Sequence, residues 1–488
     1  MGMNIVLIFA KARLRRGTQI KHYMVPPHGL QILSALTAPE HTVTVIDEYH
    51  RLADPSLSAD LVGISVWTAS SSRAYALAGQ LRRRGIPVVL GGPHVAVCPE
   101  EALAHADAIV VGEAEAVWPQ VIRDAEAGRL ERVYRGSMLP LDETPAPDWS
   151  PFHPHDYVLQ VAISTARGCA RRCDFCYESC RPKPNFRQRS LGKVLHDIDS
   201  RPGQVISFLD NDITVNEGYA RELFTALIPR RRCWLGMTSI QVADDLDLLD
   251  LMAASGCRTL FIGFESVIPE SLSEVHKHCN RVEDYARNVR RIHERGIMVN
   301  GSFVFGFDHD DLDTFDRTVA FGIEARLETA TFTVLTPYPG TTLHRRLESE
   351  DRIFDRDWSH YDTTRCVFQP AQMTPQELEA GYFRAYERFY TWPSILARCR
   401  PEEPGFAKRL FLNTAYKRVE PLYSVLGGWV RVGWMRPLFN WYASRYRALS
   451  RATGRGDWCC QQPRKSRGVA EGSRCASRTG GRRRRRPI

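Results

Sequence analysis

Short apolar runs alternate with helical periodicity along most of the chain, in two successive trains. In the first, runs rich in β-branched residues at 4–10, 41–46, 61–67, 86–90 and 108–111 read as buried strands. Between them, apolar positions three and four apart mark helices at 30–36, 73–84 and 99–104, and Gly85 falls where the middle one should end in a left-handed cap. Strict strand and helix alternation predicts a parallel sheet covered on both faces. Residues 1–128 are therefore expected to form a doubly wound, flavodoxin-like α/β domain.

A stretch at 129–157 carrying Pro140, Pro145, Pro147, Pro151 and Pro154 reads as a connector. The alternation then restarts, with strands expected at 161–165, 205–209, 235–240, 259–263, 298–305 and 330–335. Helices are expected at 191–198, 217–227, 245–254, 282–295 and 312–323. Six such units are too few to close an eight-stranded barrel, so residues 158–345 should form an open, partial (β/α)6 barrel whose chemistry lies at the strands' carboxyl rim. A mainly helical region follows at 346–455. There Thr374, Pro375 and Glu377 have the spacing of a capped helix start, and Tyr382, Phe383, Tyr386, Phe389 and Tyr390 lie on the helix they open, where packing on a neighbouring element is the expected role.

Charge changes the picture only at the end of the chain. The 488 residues carry a formal charge of +9, but residues 445–488 hold 14 Lys and Arg against two acids, leaving −3 for residues 1–444. The body offers no overall electrostatic case for nucleic acid, and the Arg-rich stretch 456–488, which loses periodicity, is expected to be a disordered basic tail. Thirteen cysteines without a secretory leader point to a reducing compartment, hence cytoplasm. No apolar stretch reaches the roughly 18 residues of a spanning helix. The aromatic, basic stretch 421–446 fits a cover over the barrel, and surface association with a membrane is the alternative.

Candidate chemistry concentrates just after the first barrel strand. Cys169, Cys173 and Cys176 stand within eight positions, spaced C-x-x-x-C-x-x-C, and thiolates at this spacing select iron–sulfur clusters, zinc or copper(I). Three ligands leave a four-iron cluster with one iron open to a small molecule, whereas clusters that only carry electrons are normally closed by four thiolates. Cys180 offers the competing reading, a fourth ligand completing a tetrahedral zinc site. The long strand and helix alternation that this run opens speaks against a small zinc module and leaves Cys180 as a neighbouring free thiol. Polar residues also end the other strands, with Asp210, Asn211 and Asp212 after the second, Glu265 and Ser266 after the fourth, and Asp308 after the fifth. In the first train the strand ends carry Thr68 and Ser70, then Gly91, Gly92 and His94, then Gly112 and Glu113, where open α/β sheets bind their ligands.

The cysteine run, with Phe175 immediately before its third thiol, resembles the signature of the radical S-adenosylmethionine (radical SAM) superfamily. Preceded by the loops at 26–30, 91–94 and 112–115, it resembles the cobalamin-dependent radical SAM enzymes over residues 1–395. That resemblance implies a 4Fe–4S cluster on Cys169, Cys173 and Cys176, and S-adenosylmethionine near Phe175, Tyr177, Asp210, Asn211 and Glu265. It further implies cobalamin on Thr68, Ser70, Gly91, Gly92, His94, Gly112 and Glu113, with no histidine below cobalt. An external donor such as flavodoxin or ferredoxin would reduce the cluster. The deoxyadenosyl radical from S-adenosylmethionine would then take hydrogen from an unactivated carbon, which accepts methyl from methylcobalamin. The implied activity is a methyltransferase acting on a bulky small molecule, with no specific nucleic-acid partner. The alternatives are a cyclase or ring-rearranging enzyme on the same architecture, and a non-catalytic cobalamin or redox sensor. Arg187 and Arg189 are candidates for an anionic group, with salt bridging at a helix N-terminus as the structural alternative.

Overall fold

The structure is a computed structural model that describes residues 2–13 and 25–399, apart from 154–155, 158, 160, 181–184, 202 and 278, together with 406, 409–410 and 413–414. The connector's Pro154, the whole aromatic stretch 421–446 and the arginine-rich tail lie outside the described residues. The first sheet contains β1 (Asn4–Phe9), β2 (Thr42–Asp47), β3 (Leu61–Ser65), β4 (Val88–Gly91), β5 (Ala108–Gly112) and β6 (Val133–Gly136), all parallel in the order β2-β1-β3-β4-β5-β6. Chain direction across the sheet reverses between β1 and β3, which makes their carboxyl ends the switch point where such sheets open a crevice.

Alternation along β1 divides the core. Val6 and Ile8 face Ala74, Leu77 and Leu81 of α2 (Ser71–Arg83) and Val95 of α3 (Pro93–Val97). Ile5 and Leu7 face Leu30 of α1 (His28–Leu36) and Trp118, Val121 and Ile122 of α5 (Trp118–Glu126). A further helix, α4 (Pro99–His105), follows α3. β6 corrects the sequence reading. It lies inside the stretch expected to be only a connector, and it pairs with β5 from Ile109↔Val133 to Gly112↔Gly136. Its four residues Val-Tyr-Arg-Gly are too few for alternation to stand out, and Tyr134 alone is fully buried.

The second sheet is an open run of six parallel strands, β7 (Val161–Ile163), β10 (Val205–Phe208), β11 (Cys233–Thr238), β12 (Cys257–Glu265), β13 (Met298–Phe305) and β14 (Thr329–Val334), in spatial sequence. A two-stranded hairpin, β8 (Ala166–Arg167) with β9 (Arg187–Gln188), brackets the cysteine run at its base. Helices α6 (Leu191–Asp199), α7 (Glu217–Leu227), α8 (Leu246–Ala254), α9 (Pro269–Glu274), α10 (Tyr285–Glu294) and α11 (Thr314–Glu324) cover the strands, followed by α12 (Thr342–Ser349), α13 (Pro375–Phe389) and α14 (Trp392–Arg398).

The open edge at β14 is closed by side chains. Tyr390 Oη accepts from Ala330 N (3.0 Å) and donates to Ala330 O (2.7 Å), while Tyr386 Oη does the same for Phe332 at 3.1 Å each. Four residues along a helix advance about 6 Å and two along a strand nearly 7 Å, so this spacing lets two hydroxyls replace a missing seventh strand. The aromatic helix α13 therefore packs on the barrel, as its periodicity predicts. Its start carries the expected reciprocal cap between Thr374 and Glu377.

Candidate active site

The cysteine loop leaves β7 and returns through β9, so its anchoring decides where three thiols stand. Asp210, at the end of β10, turns back to accept from Thr165 N (3.1 and 3.2 Å) and Thr165 Oγ1 (2.6 Å). Burial pushes its carboxyl up to about 6 despite those donors. Asp210 thus braces the chain entering the loop, and both its oxygens are engaged there. Asn211, exposed on the rim, donates to Gly168 O at 3.3 Å. From the other side, Asp174 N reaches Val275 O (3.4 Å), Asp174 O accepts from Leu343 N (3.1 Å), and Phe175 meets Phe307 edge-on at 6.0 Å.

Cys173 is buried, and Cys169 and Cys176 are half-buried. Burial pushes the Cys173 and Cys176 thiols up to about 11 and about 12, and each is raised further by its neighbours' sulfurs. Electrostatic reach without close convergence is the geometry of a large polynuclear group. Among the described residues, the one set of three His, Cys, Asp or Glu donors with all ligand atoms within 4.8 Å lies elsewhere, at His94, Cys98 and Glu101. Thiolates on a single zinc would stand about 3.8 Å apart at zinc–sulfur bonds of about 2.3 Å. The donor set therefore fits a thiolate-bound iron–sulfur cluster, whose positive iron centres offset the burial that otherwise keeps these thiols protonated. Cys180 turns its sulfur to Pro339 O (4.0 Å), in the loop after β14, consistent with a neighbour rather than a ligand.

Glu265 owes its position to a backbone irregularity. The β12/β13 register slips between Gly263 and Glu265, Glu265 takes φ +63°, and the bulge carbonyls are satisfied by Asn280 Nδ2 (2.8 Å to both Gly263 O and Phe264 O) and Tyr285 Oη (3.0 Å to Phe264 O). Phe264 fills the core while Glu265 is lifted to the rim, where it pairs with Lys277. Burial alone would lower the Lys277 ammonium, but Glu265 outweighs it and the pKa ends raised, with Cys173 also within electrostatic reach. A Cβ on Gly263 would lie 2.3 Å from Glu265 Oε1, so glycine there is what admits the pair. Lys277 was not legible in the sequence, because a lone lysine after a short helix carries no spacing signal. Arg171, inside the cysteine run, bonds Asp212 (3.1 Å) and Ser239 (2.9 Å), tying the loop to the ends of β10 and β11.

The carboxyl edge of the first sheet meets this rim. Tyr177 Oη donates to Pro93 O, and Val97 lies against Gly340 and hence beside Cys180. Glu113, after β5, is buried between Arg167 (3.3 Å) and Arg187, with Glu115 also on Arg167 at 2.6 Å. Arg189 pairs with Asp197 at 2.8 Å. Arg187 and Arg189 are thus both salt-bridged, though not at a helix N-terminus: Asp197 lies in the last turn of α6, and Glu113, in the loop after β5, joins the two domains.

The other residues expected around cobalamin divide by orientation. Thr68 and Ser70 are turned inward. Ser70 Oγ closes the turn at Trp67 (3.0 Å from Trp67 N), and Thr68 Oγ1 lies 3.3 Å from His94 Nδ1. His94 is fully buried. Gly92, at φ +107°, is required because a Cβ would fall 2.8 Å from Val66 N, and at Gly112 one would fall 2.6 Å from Gly136 O. Gly91 has no such crowding. The side chain left open at the β1/β3 switch point is Trp67, 51% exposed, which its apolar character had placed within a strand.

Residues 25–122 match the B12 binding domain, residues 163–322 the radical SAM superfamily, and residues 341–417 a domain of unknown function (DUF4070). Over 385 residues the chain is 29% identical to bacteriochlorophyllide d C-12(1)-methyltransferase of Chlorobaculum tepidum, covering 76% of this chain and 84% of that protein. It is 28% identical over 395 residues to the same organism's bacteriochlorophyllide d C-8(2)-methyltransferase, covering 76% and 86%. The fold is similar to that of TsrM, a radical S-adenosylmethionine methyltransferase from Kitasatospora setae solved with cobalamin and a [4Fe-4S] cluster bound, at a TM-score of 0.62 and 18% identity over 92% of this chain and 100% of that one. The cofactors are accordingly a 4Fe–4S cluster, S-adenosylmethionine and cobalamin. The chain thus joins a B12 binding domain to a three-cysteine radical SAM barrel rim, the domain pair of the cobalamin-dependent radical SAM enzymes.

Proposed function

We propose that this enzyme methylates an unactivated carbon of a bulky organic molecule. The observation that supports the reading is the joint between the cysteine loop and the β4 loop, where Tyr177 donates to Pro93 O and so ties the radical SAM rim to the B12 domain. Cys169, Cys173 and Cys176 would hold the cluster and leave one iron for S-adenosylmethionine. When bound, these cofactors supply hydrogen abstraction and a methyl group; the chain supplies alignment and exclusion of water.

Glu265 and Lys277 present opposite charges beside Cys173 and match the amino and carboxylate groups of S-adenosylmethionine, with Asn211 and the rings of Phe175 and Tyr177 along the same rim. Asp210 acts as a positioning residue through Thr165. Trp67 and Gly91 line the switch-point crevice for the corrin. An external flavodoxin or ferredoxin would deliver the electron, and a cytoplasmic setting fits the free thiols. The methyltransferases it resembles act on bacteriochlorophyllides, which makes a reduced tetrapyrrole the first substrate to test. Protein loaded with all three cofactors should convert methyl-labelled S-adenosylmethionine into deoxyadenosine together with a methylated product. Deoxyadenosine with an altered but unmethylated product would instead establish the cyclase or rearrangement reading.

A further inference from the structure

The most concentrated set of unassigned donors lies away from the cysteine loop, where α3 and α4 pack beneath the C-terminal region. His94, Cys98 and Glu101 bring an imidazole nitrogen, a thiol sulfur and a carboxylate oxygen within 4.8 Å of one another. As a hydrogen-bonded set they are poorly served. His94 Nε2 is 3.4 Å from Glu101 Oε1 and Nδ1 is 3.3 Å from Thr68 Oγ1, both longer than the usual 2.7–3.2 Å. A fully buried imidazole with two long contacts and a sulfur alongside is better matched to a cation than to a proton.

We propose that His94, Cys98 and Glu101 bind a divalent cation of zinc type, separate from the cluster, that pins the B12 domain to the C-terminal region. Three features support this. A thiolate and a carboxylate cancel a double positive charge, so the loaded site is neutral where burial is greatest. The surrounding groups sit where metal ligands usually find support: Thr68 takes the far ring nitrogen of His94, and Trp358 Nε1 donates to Glu101 Oε2 at 2.9 Å, leaving Oε1 for the cation. Tyr75, tilted 6.2 Å from the imidazole, and Trp358, edge-on at 5.6 Å, wall the site. Glu101, with 37% of its side chain exposed, is the side from which a water reaches the fourth position. Binding releases one proton, from the Cys98 thiol, and changes no oxidation state. Because Trp358 belongs to the C-terminal region, the cation would hold Glu101 in the orientation that receives it.

The test uses full-length protein with its cluster and cobalamin in place, exposed to zinc chloride, desalted and analysed for metal. The expected result is one zinc per chain. Its X-ray absorption should show one sulfur at about 2.3 Å and nitrogen or oxygen neighbours at about 2.0–2.1 Å. Cys98→Ala should remove the sulfur shell, and Glu101→Gln should weaken retention at least tenfold, with iron content unchanged. Zinc in an all-sulfur shell, no retained zinc, or equal retention by Cys98→Ala would each overturn the proposal. The wild-type spectrum decides the matter even if a variant fails to fold.

Discussion

Replacing Glu113 by Gln tests whether the two domains are held together as described. The carboxylate is 6% exposed and sits between guanidiniums that are 19% and 17% exposed. At an effective dielectric constant near 20, each contact at about 4 Å is worth roughly 4 kcal/mol before desolvation. Much of that is offset by the cost of burial, yet removing one partner leaves the other charge uncompensated, which typically costs about 3–5 kcal/mol. Arg167 keeps Glu115 at 2.6 Å, so the loss falls chiefly on Arg187, which retains its hydrogen bond to Leu139 O. A net destabilisation of about 2–4 kcal/mol follows. Chemical denaturation of the full chain, combined with hydrogen exchange at Arg187 and Gln188, reads it directly. The expected outcome is a lower midpoint with accelerated exchange in the hairpin. Unchanged stability and exchange, accompanied by loss of bound cobalamin, would refute the reasoning and return Glu113 to the cofactor-contact role its sequence position implied.

Tyr390→Phe should cost about 1–3 kcal/mol by stranding Ala330 N–H and C=O on the β14 edge, measured as a drop in melting temperature, with Tyr386→Phe acting in the same direction. Asp210 titrates near 6 in the fold against 3.8 ordinarily, so the folded protein binds more protons between about pH 4 and 6. Its contribution is present below pH 4 and lost as pH rises through 6. Wild type should therefore lose up to about 3 kcal/mol relative to Asp210→Asn across that window, seen in melts at stepped pH. Cys180→Ala should keep its iron and its response to S-adenosylmethionine, while Ala at Cys169, Cys173 or Cys176 should lose iron on desalting. Gly263→Ala, which crowds Glu265 Oε1 to 2.3 Å, should weaken S-adenosylmethionine binding at least tenfold by equilibrium dialysis without lowering iron content.

Regular elements were readable because burial on both faces writes itself as apolar runs: β13 over 298–305 and α7 over 217–227 match to the residue. β6 escaped because an edge strand of four residues carries too little pattern, and the β8/β9 hairpin because two residues carry none. The cysteine trio was legible since its ligands are local. Orientation was not. Thr68, Ser70 and His94 sit on the loops expected to meet a cofactor yet face inward, since a hydroxyl or imidazole at a strand end is equally useful for closing the loop itself. Lys277 and the Arg167–Glu113–Arg187 bridge depend on partners 12 to 74 residues away, and sequence spacing cannot report such contacts.

The decisive measurement is electron paramagnetic resonance of anaerobically reconstituted, dithionite-reduced protein before and after addition of S-adenosylmethionine, with iron and sulfide counted in the same sample. Four irons and four sulfides per chain, and a signal whose g-values move when the sulfonium ligand is added, are what a cluster with one open corner gives. Zinc in place of iron, or a spectrum indifferent to S-adenosylmethionine, would contradict it.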